Sequence, residues 1–186
     1  PEDFKIKFEK SIQGIIDQID SLSAIAGEFS NFAKLPATQI QNVNLLEIIE
    51  ASVLLFAKTK RIIIQNKIKE RTIFVKGDKD QCLRIFNNVL KNAIESLDGQ
   101  NNPKIELNAT LQSNHVIIQI ADNGAGISEE LKPNIFKPNF TTKTSGTGLG
   151  LAIVKSSIQG FDGNVWFESK LGLGSTFYLE FKIVNK

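Results

Sequence analysis

The sequence predicts an α+β domain built as a two-layer sandwich, a mixed sheet with helices on one face, preceded by a long projecting helix. Three observations predict it. Segments of helical and strand period follow one another as helix, strands, helix, strands, helix, strands. Strict βαβ alternation is missing, which sets aside a doubly wound fold. The 186 residues are 41% hydrophobic with 13 Phe, enough to fill one core.

The first helix is expected over residues 4–33. Phe8, Ile12, Ile15, Ile19, Leu22, Ala26, Phe29 and Ala33 step by fours and threes, the spacing of a heptad seam, and Ile16, Ile25 and Phe32 widen the stripe as in a helical bundle. A helix of this length spans about 45 Å and is expected to pair with helices outside the domain. Pro36 ends it, because proline disfavours helix in the residue before it. Residues 36–43 read as a linker. Asn44 is a candidate cap for a helix running from Leu45 to about Lys58, with Leu46, Ile49, Val53 and Phe56 on one face.

Residues 61–68 and 72–75 are rich in β-branched side chains and read as strands. Gly77 breaks the chain. Asp78, with Gln81 three residues on, has the spacing of a capping box for a helix to about Leu97. Strands follow at 104–111 and 116–121, then a glycine turn at 122–126 and a short helix near Ser128 to Leu131. An irregular stretch covers 133–147. The glycines at 146, 148 and 150 lead into a helix to about Gln159, and strands at 164–169 and 175–183 close the domain.

Composition removes several function classes. A net charge of +2 gives no electrostatic case for nucleic acid or an anionic membrane. The apolar runs are too short to cross a bilayer, and no signal peptide is evident. The single cysteine, Cys82, excludes an internal disulfide and reads as a small buried hydrophobe in a reducing compartment. No methionine occurs, even at position 1, so the sequence reads as a piece of a longer protein.

Chemistry concentrates in five stretches. Gly146, Gly148 and Gly150 precede a helix whose free N–H groups and positive dipole end suit a phosphate. Asn88 and Asn92 share one helix face at i and i+4, and an Asn carbonyl is a hard oxygen ligand fit for Mg²⁺. Asp122 closes an apolar strand and can accept a hydrogen bond from an exocyclic amine such as adenine N6. Lys143 sits in the irregular stretch, where it can reach a γ-phosphate as a point charge. Thr176, after Gly172 and Gly174, can add a hydroxyl near the base. Taken singly, these stretches also read as a plain glycine loop, a solvated helix face, an Asn-Gly turn, a flexible loop with a solvated lysine and a hairpin.

Together, in this order, they resemble the catalytic ATP-binding domain of sensor histidine kinases, within the gyrase, Hsp90, histidine kinase and MutL superfamily. Residues 88–92 match its N box, 122–126 its G1 box, 136–139 its F box and 146–150 its G2 box, and 172–176 match its last glycine motif. The resemblance implies a Bergerat-type sandwich that binds Mg-ATP under a mobile lid at 133–147. It extends the nucleotide-contacting set to Gly124, Gly126, Ile127, Phe136, Thr142, Thr147 and Leu149. Asn139 stands where the F box usually has Phe, with Phe140 beside it. Residues 28–36 and 91–96 are similar to nitrogen-regulation-type sensors, and many other histidine kinases carry Lys where this chain has Glu95.

Under this resemblance residues 1–35 are the second helix of a dimerisation and phosphotransfer hairpin, 36–43 the linker, and 44–186 the catalytic domain. The acceptor histidine is expected on the first hairpin helix, outside the chain. The only histidine, His115, lies at a strand start within the ATP domain and reads as a surface turn residue. The implied partners are a response-regulator receiver domain and a second copy of the full-length protein. The implied setting is the cytoplasmic portion of a membrane-anchored bacterial sensor. A serine kinase or ATPase of the same superfamily, and a nucleotide-binding pseudokinase acting as an interaction module, remain the alternatives.

Overall fold

A computed structural model describes residues 38–56, 62–143 and 146–184, with Lys5, residues 7–16, Gln18, Ile19 and Gly27 ahead of them. Residues 7–16 are helical, and Phe8, Ile12, Ile15 and Ile19 of the expected seam are exposed. The rest of the projecting helix, and its stop at Pro36, lie outside the described residues.

The main sheet has five strands in the order β2-β4-β5-β7-β6: β2 Ile63–Asn66, β4 Lys104–Leu111, β5 His115–Asp122, β6 Asn164–Lys170 and β7 Gly174–Lys182. It is mixed, because β2 runs parallel to β4 while the other neighbours are antiparallel. Burial alternates along β5, where Val116, Ile118, Ile120 and Asp122 are buried. On β7 the buried phase is Ser175, Phe177, Leu179 and Phe181. This period of two presents one apolar face to the helices.

Among the described residues of the domain the helices are α1 Leu45–Phe56, α2 Lys79–Ser96 and α3 Gly150–Gly160; α2 and α3 pack on the sheet, and α1 packs on α2. α2 lies in the middle. Its buried residues, Cys82, Ile85, Phe86, Val89, Leu90, Ala93 and Ile94, recur at three and four. Phe86 stacks on Phe181 of β7 with ring centroids 6.1 Å apart, which fixes helix to sheet. Cys82 is fully buried, and desolvation, with Asp78 adding to it, pushes its thiol up to about 12. It is the inert core residue that the sequence suggests.

Three local expectations need correction. Residues 41–43, read as the end of a linker, join Asn44 in β1 Gln41–Asn44, antiparallel to β3 Phe74–Gly77 in a separate two-stranded sheet. Val43 and Val75 are the buried pair that holds it. The short helix expected near Ser128 to Leu131 is instead a 3-10 turn at Lys132–Asn134, where the fixed φ of Pro133 suits a first turn. The capping box is half formed. Asp78 Oδ1 accepts from the N–H groups of Asp80 and Gln81 at 3.0 and 3.1 Å, but the Gln81 amide donates to Thr38 Oγ1 rather than reaching back. Asp78 Oδ2 also accepts from the Gln39 N–H at 2.8 Å, so this one carboxylate caps α2 and moors the segment before β1. Asp78→Ala is expected to cost about 1–2 kcal/mol in urea denaturation. A loss below about 0.3 kcal/mol would mean that the cap is dispensable.

Candidate functional site

The site is assembled where α2, the C-terminal end of β5 and the N-terminus of α3 meet. A cavity of about 680 Å³ opens there. One wall is the polar flank of α2, Asn88, Asn92, Glu95 and Ser96, adjoining the helix's buried stripe. Asp122, Gly126 and Ile127 line another side, and Ser175 and Phe177 of β7 contribute to the floor. The mouth carries Thr142, Lys143, Gly146, Thr147, Gly148 and Gly150.

Asp122 is the last residue of the central strand and only 8% exposed. Its Oδ1 accepts from the Gly124 N–H at 2.8 Å and from the Ser96 hydroxyl at 2.9 Å. Burial pushes its pKa up, while the Gly124 N–H, the Ser96 hydroxyl and the Ser175 backbone N–H pull it down. Burial prevails, so the carboxylate is held above its ordinary range by the apolar layer around it. Ser96 belongs to this constellation, and the sequence reading did not single it out. Its position one turn beyond Asn92 on the same helix is the signal that was available.

The turn after Asp122 presses close to its neighbours. Gly126 has φ +69°, and a Cβ there would stand 2.1 Å from the Lys170 carbonyl oxygen. No other residue fits that position without moving backbone. Gly148, also at φ +69°, would carry a Cβ 2.6 Å from the backbone of Asn139 and Phe140. Phe140 packs against the core and lines the cavity, so it supplies the aromatic anchor that Asn139 lacks. Asn139 itself takes φ 63°, a left-handed conformation Asn tolerates better than Phe. Gly150 opens α3, whose N-terminus has no side-chain cap. A Cβ on Gly150 would come 3.2 Å from Asn88 Oδ1, so the glycine keeps space open beside that carbonyl.

Several expected site residues stand elsewhere. Thr176 faces the other side of the sheet, beside Glu168, lining a shallow depression of about 320 Å³. The β7 pleat puts Ser175 in the cavity instead. Phe136 does not line the cavity: its ring meets Phe167 edge-on at 5.9 Å and lies 5.7 Å beneath the Lys155 ammonium. Leu149 is the N-cap residue of α3, and Gly124 acts one layer back through its N–H to Asp122. The Gly146 N–H is engaged by the Lys143 carbonyl at 3.3 Å, and the start of α3 has no side-chain cap. His115 begins β5 at the end opposite Asp122, about 23 Å away at a strand's rise per residue.

Among the described residues no helix is long and apolar enough to cross a membrane, and no three His, Cys, Asp or Glu side chains cluster as a metal site.

The family defined as "Histidine kinase-, DNA gyrase B-, and HSP90-like ATPase" matches residues 77–185. ATP is that family's nucleotide. The histidine-protein kinase AtoS of Escherichia coli is 29% identical over 168 residues, which are 89% of this chain and 28% of AtoS. The nitrogen regulation protein NtrY of Azorhizobium caulinodans is 28% identical over 163 residues, 85% of this chain and 21% of that protein. The chain thus spans less than a third of the length of these relatives. The catalytic domain of histidine kinase ThkA superposes with a TM-score of 0.69 at 31% identity, covering 77% of this chain and 97% of that domain. ThkA in complex with the response regulator TrrA gives 0.74 at 26% identity, over 94% of this chain and 51% of that one. The five-stranded mixed sheet with its helices is the fold of such a domain. With these likenesses and the family match in agreement, the chain belongs to the histidine kinase-, DNA gyrase B- and HSP90-like ATPase family, on its sensor histidine kinase branch.

Proposed function

We propose that the chain is the ATP-binding catalytic part of a two-component sensor histidine kinase. One observation carries the reading: a single cavity is lined at once by Asp122, by Asn88 and Asn92, and by the glycine turn before α3. An amine acceptor, amide oxygens and an uncapped helix N-terminus are what adenine, a phosphate-bound cation and phosphates respectively require.

In this reading Asp122 accepts a hydrogen bond from the adenine amine, Ile127 and Phe177 flank the base, and the N–H groups at Gly148, Gly150 and Leu151 meet the phosphates. Asn92 offers its carbonyl oxygen to Mg²⁺, and Asn88 orients the phosphates or the attacking group. A magnesium ion arriving with the nucleotide would neutralise phosphate charge. Thr142, Thr147 and Lys143 belong to a lid over residues 133–147. The γ-phosphoryl group passes to a histidine outside these residues, then to an aspartate of a response regulator. Dimerisation through a helical hairpin, a cytoplasmic setting and a membrane anchor elsewhere in the protein belong to the same proposal. So does the division into a hairpin helix at 1–35, a linker, and a catalytic domain that begins with β1 at Gln41.

The test supplies the sensor's own helical hairpin, with its histidine, as a separate polypeptide together with labelled ATP. Label is expected on the hairpin as acid-labile phosphohistidine, with none on this chain, whose His115 lies far from the cavity. Asn92→Ala is expected to slow transfer by about 10²-fold or more, the scale of losing several kcal/mol of charge stabilisation. Tight Mg-ATP binding without any transfer would make the chain a nucleotide-binding interaction module instead.

A further inference from the structure

Glu95 has no role in the assignments above, yet it lines the same cavity. Asn88, Asn92 and Glu95 follow at i, i+4 and i+7, one stripe along α2. The Glu95 carboxylate bonds the Lys143 ammonium across the mouth, over 48 residues of sequence. Neither side chain is buried: Glu95 is 36% and Lys143 43% exposed. An ion pair between such solvated charges is weak, and another anion can displace the carboxylate from the ammonium.

Lys143 has one compact charge to give. A terminal phosphate is a stronger partner for it than a solvated carboxylate, having more charge and more acceptor oxygens. The two cannot both hold the ammonium fully. We propose that Glu95 is an affinity- and specificity-determining residue of this cavity, competing with the γ-phosphate for Lys143. Binding a triphosphate costs the Glu95–Lys143 pair. Binding a diphosphate, which lacks the group that Lys143 would reach, leaves the pair in place. Glu95 therefore narrows the preference for ATP over ADP and keeps ATP exchangeable. This inference rests on the nucleotide reading of the cavity.

Calorimetric titrations of Mg-ATP and Mg-ADP into wild type, Glu95→Gln, Lys143→Gln and the double variant test it. Glu95→Gln is expected to bind Mg-ATP about three- to fivefold more tightly, with Mg-ADP changed by less than about twofold. The gain should vanish in the Lys143→Gln background and shrink with added salt. Unchanged or weaker Mg-ATP binding by Glu95→Gln overturns the competition. An equal gain for ADP, or an equal gain without Lys143, also overturns it, since either outcome is general charge repulsion. A wild-type chain that binds neither nucleotide overturns the nucleotide reading itself, a result distinct from wild-type binding with no gain in the variant.

Discussion

Asp122→Asn is expected to weaken Mg-ATP binding by about ten- to a hundredfold while leaving the fold intact, because one charge-assisted hydrogen bond to the base is lost. Asn keeps a carbonyl oxygen for the Gly124 N–H and the Ser96 hydroxyl, which Asp122 now satisfies at 2.8 and 2.9 Å. Its other atom is an amide N–H₂, which donates where the adenine amine needs an acceptor. Stability should move the opposite way. Burial raises the Asp122 pKa above its ordinary 3.8, so the native state binds this proton more tightly than the unfolded chain. Stability from this group is therefore greatest below 3.8 and is lost as pH rises through the raised value. At pH 7 the charged carboxylate is a net cost that Asn does not carry. Calorimetry and thermal melts at pH 7 should show weaker binding with no fall in the midpoint. In the wild type, nucleotide affinity should decline as pH drops through the raised pKa, where a protonated Asp122 turns from acceptor into donor. Undiminished affinity in Asp122→Asn would move base recognition to another residue.

Phe86→Ala is expected to cost about 3–5 kcal/mol, a large part of the total stability of a domain this size. The ring is fully buried and stacks on Phe181 at an interplanar angle of 21°. Truncation removes its contact with Phe181 and leaves a void in a closely packed core. The functional side of the argument is geometric. Phe86 sits on the helix that carries Asn88 and Asn92, and Phe181 on the strand that carries Ser175. Their stack sets the spacing between one cavity wall and its floor. Urea unfolding should show a lower midpoint with an unchanged slope. Phe86→Leu should cost less, about 1–1.5 kcal/mol, because most of the volume remains. A Phe86→Ala loss under about 1 kcal/mol would show that helix and sheet are held elsewhere.

The elements legible in the sequence are those whose signal is local. α2 and α3 announce themselves by apolar spacing, with Asp78 starting the first and glycines the second. β4, β5 and β7 do so by alternation. β1 was not legible, because Gln41–Asn44 buries only Val43 and its partner strand lies some thirty residues away. Thr176 and Ser175 are both hydroxyls, and composition alone does not choose between them. The choice was nonetheless written in the phase of the strand: Phe177, Leu179 and Phe181 are the buried set, and Ser175 shares their parity while Thr176 does not. Phe136 stands in the F-box match, yet Phe140 reaches the cavity, since the close approach of Gly148 to the backbone of Asn139 and Phe140 sets where that ring lies. The Glu95–Lys143 pair and the Ser96–Asp122 bond join residues 48 and 26 positions apart; helix spacing puts Glu95 and Ser96 near Asn92 but does not name the partner of either.

The pleat of β7 bears on how the chain can change over generations. Substitutions there alter the cavity floor one side chain at a time. A residue gained or lost in the turn at 171–173 would slide β7 against β5 and exchange its two faces. Thr176 and Tyr178 would then occupy the floor in place of Ser175 and Phe177. The Tyr178 ring, now stacked on Trp166 at 5.2 Å, would turn into the core. Selection at this hairpin should therefore act on the number of residues more severely than on their kind.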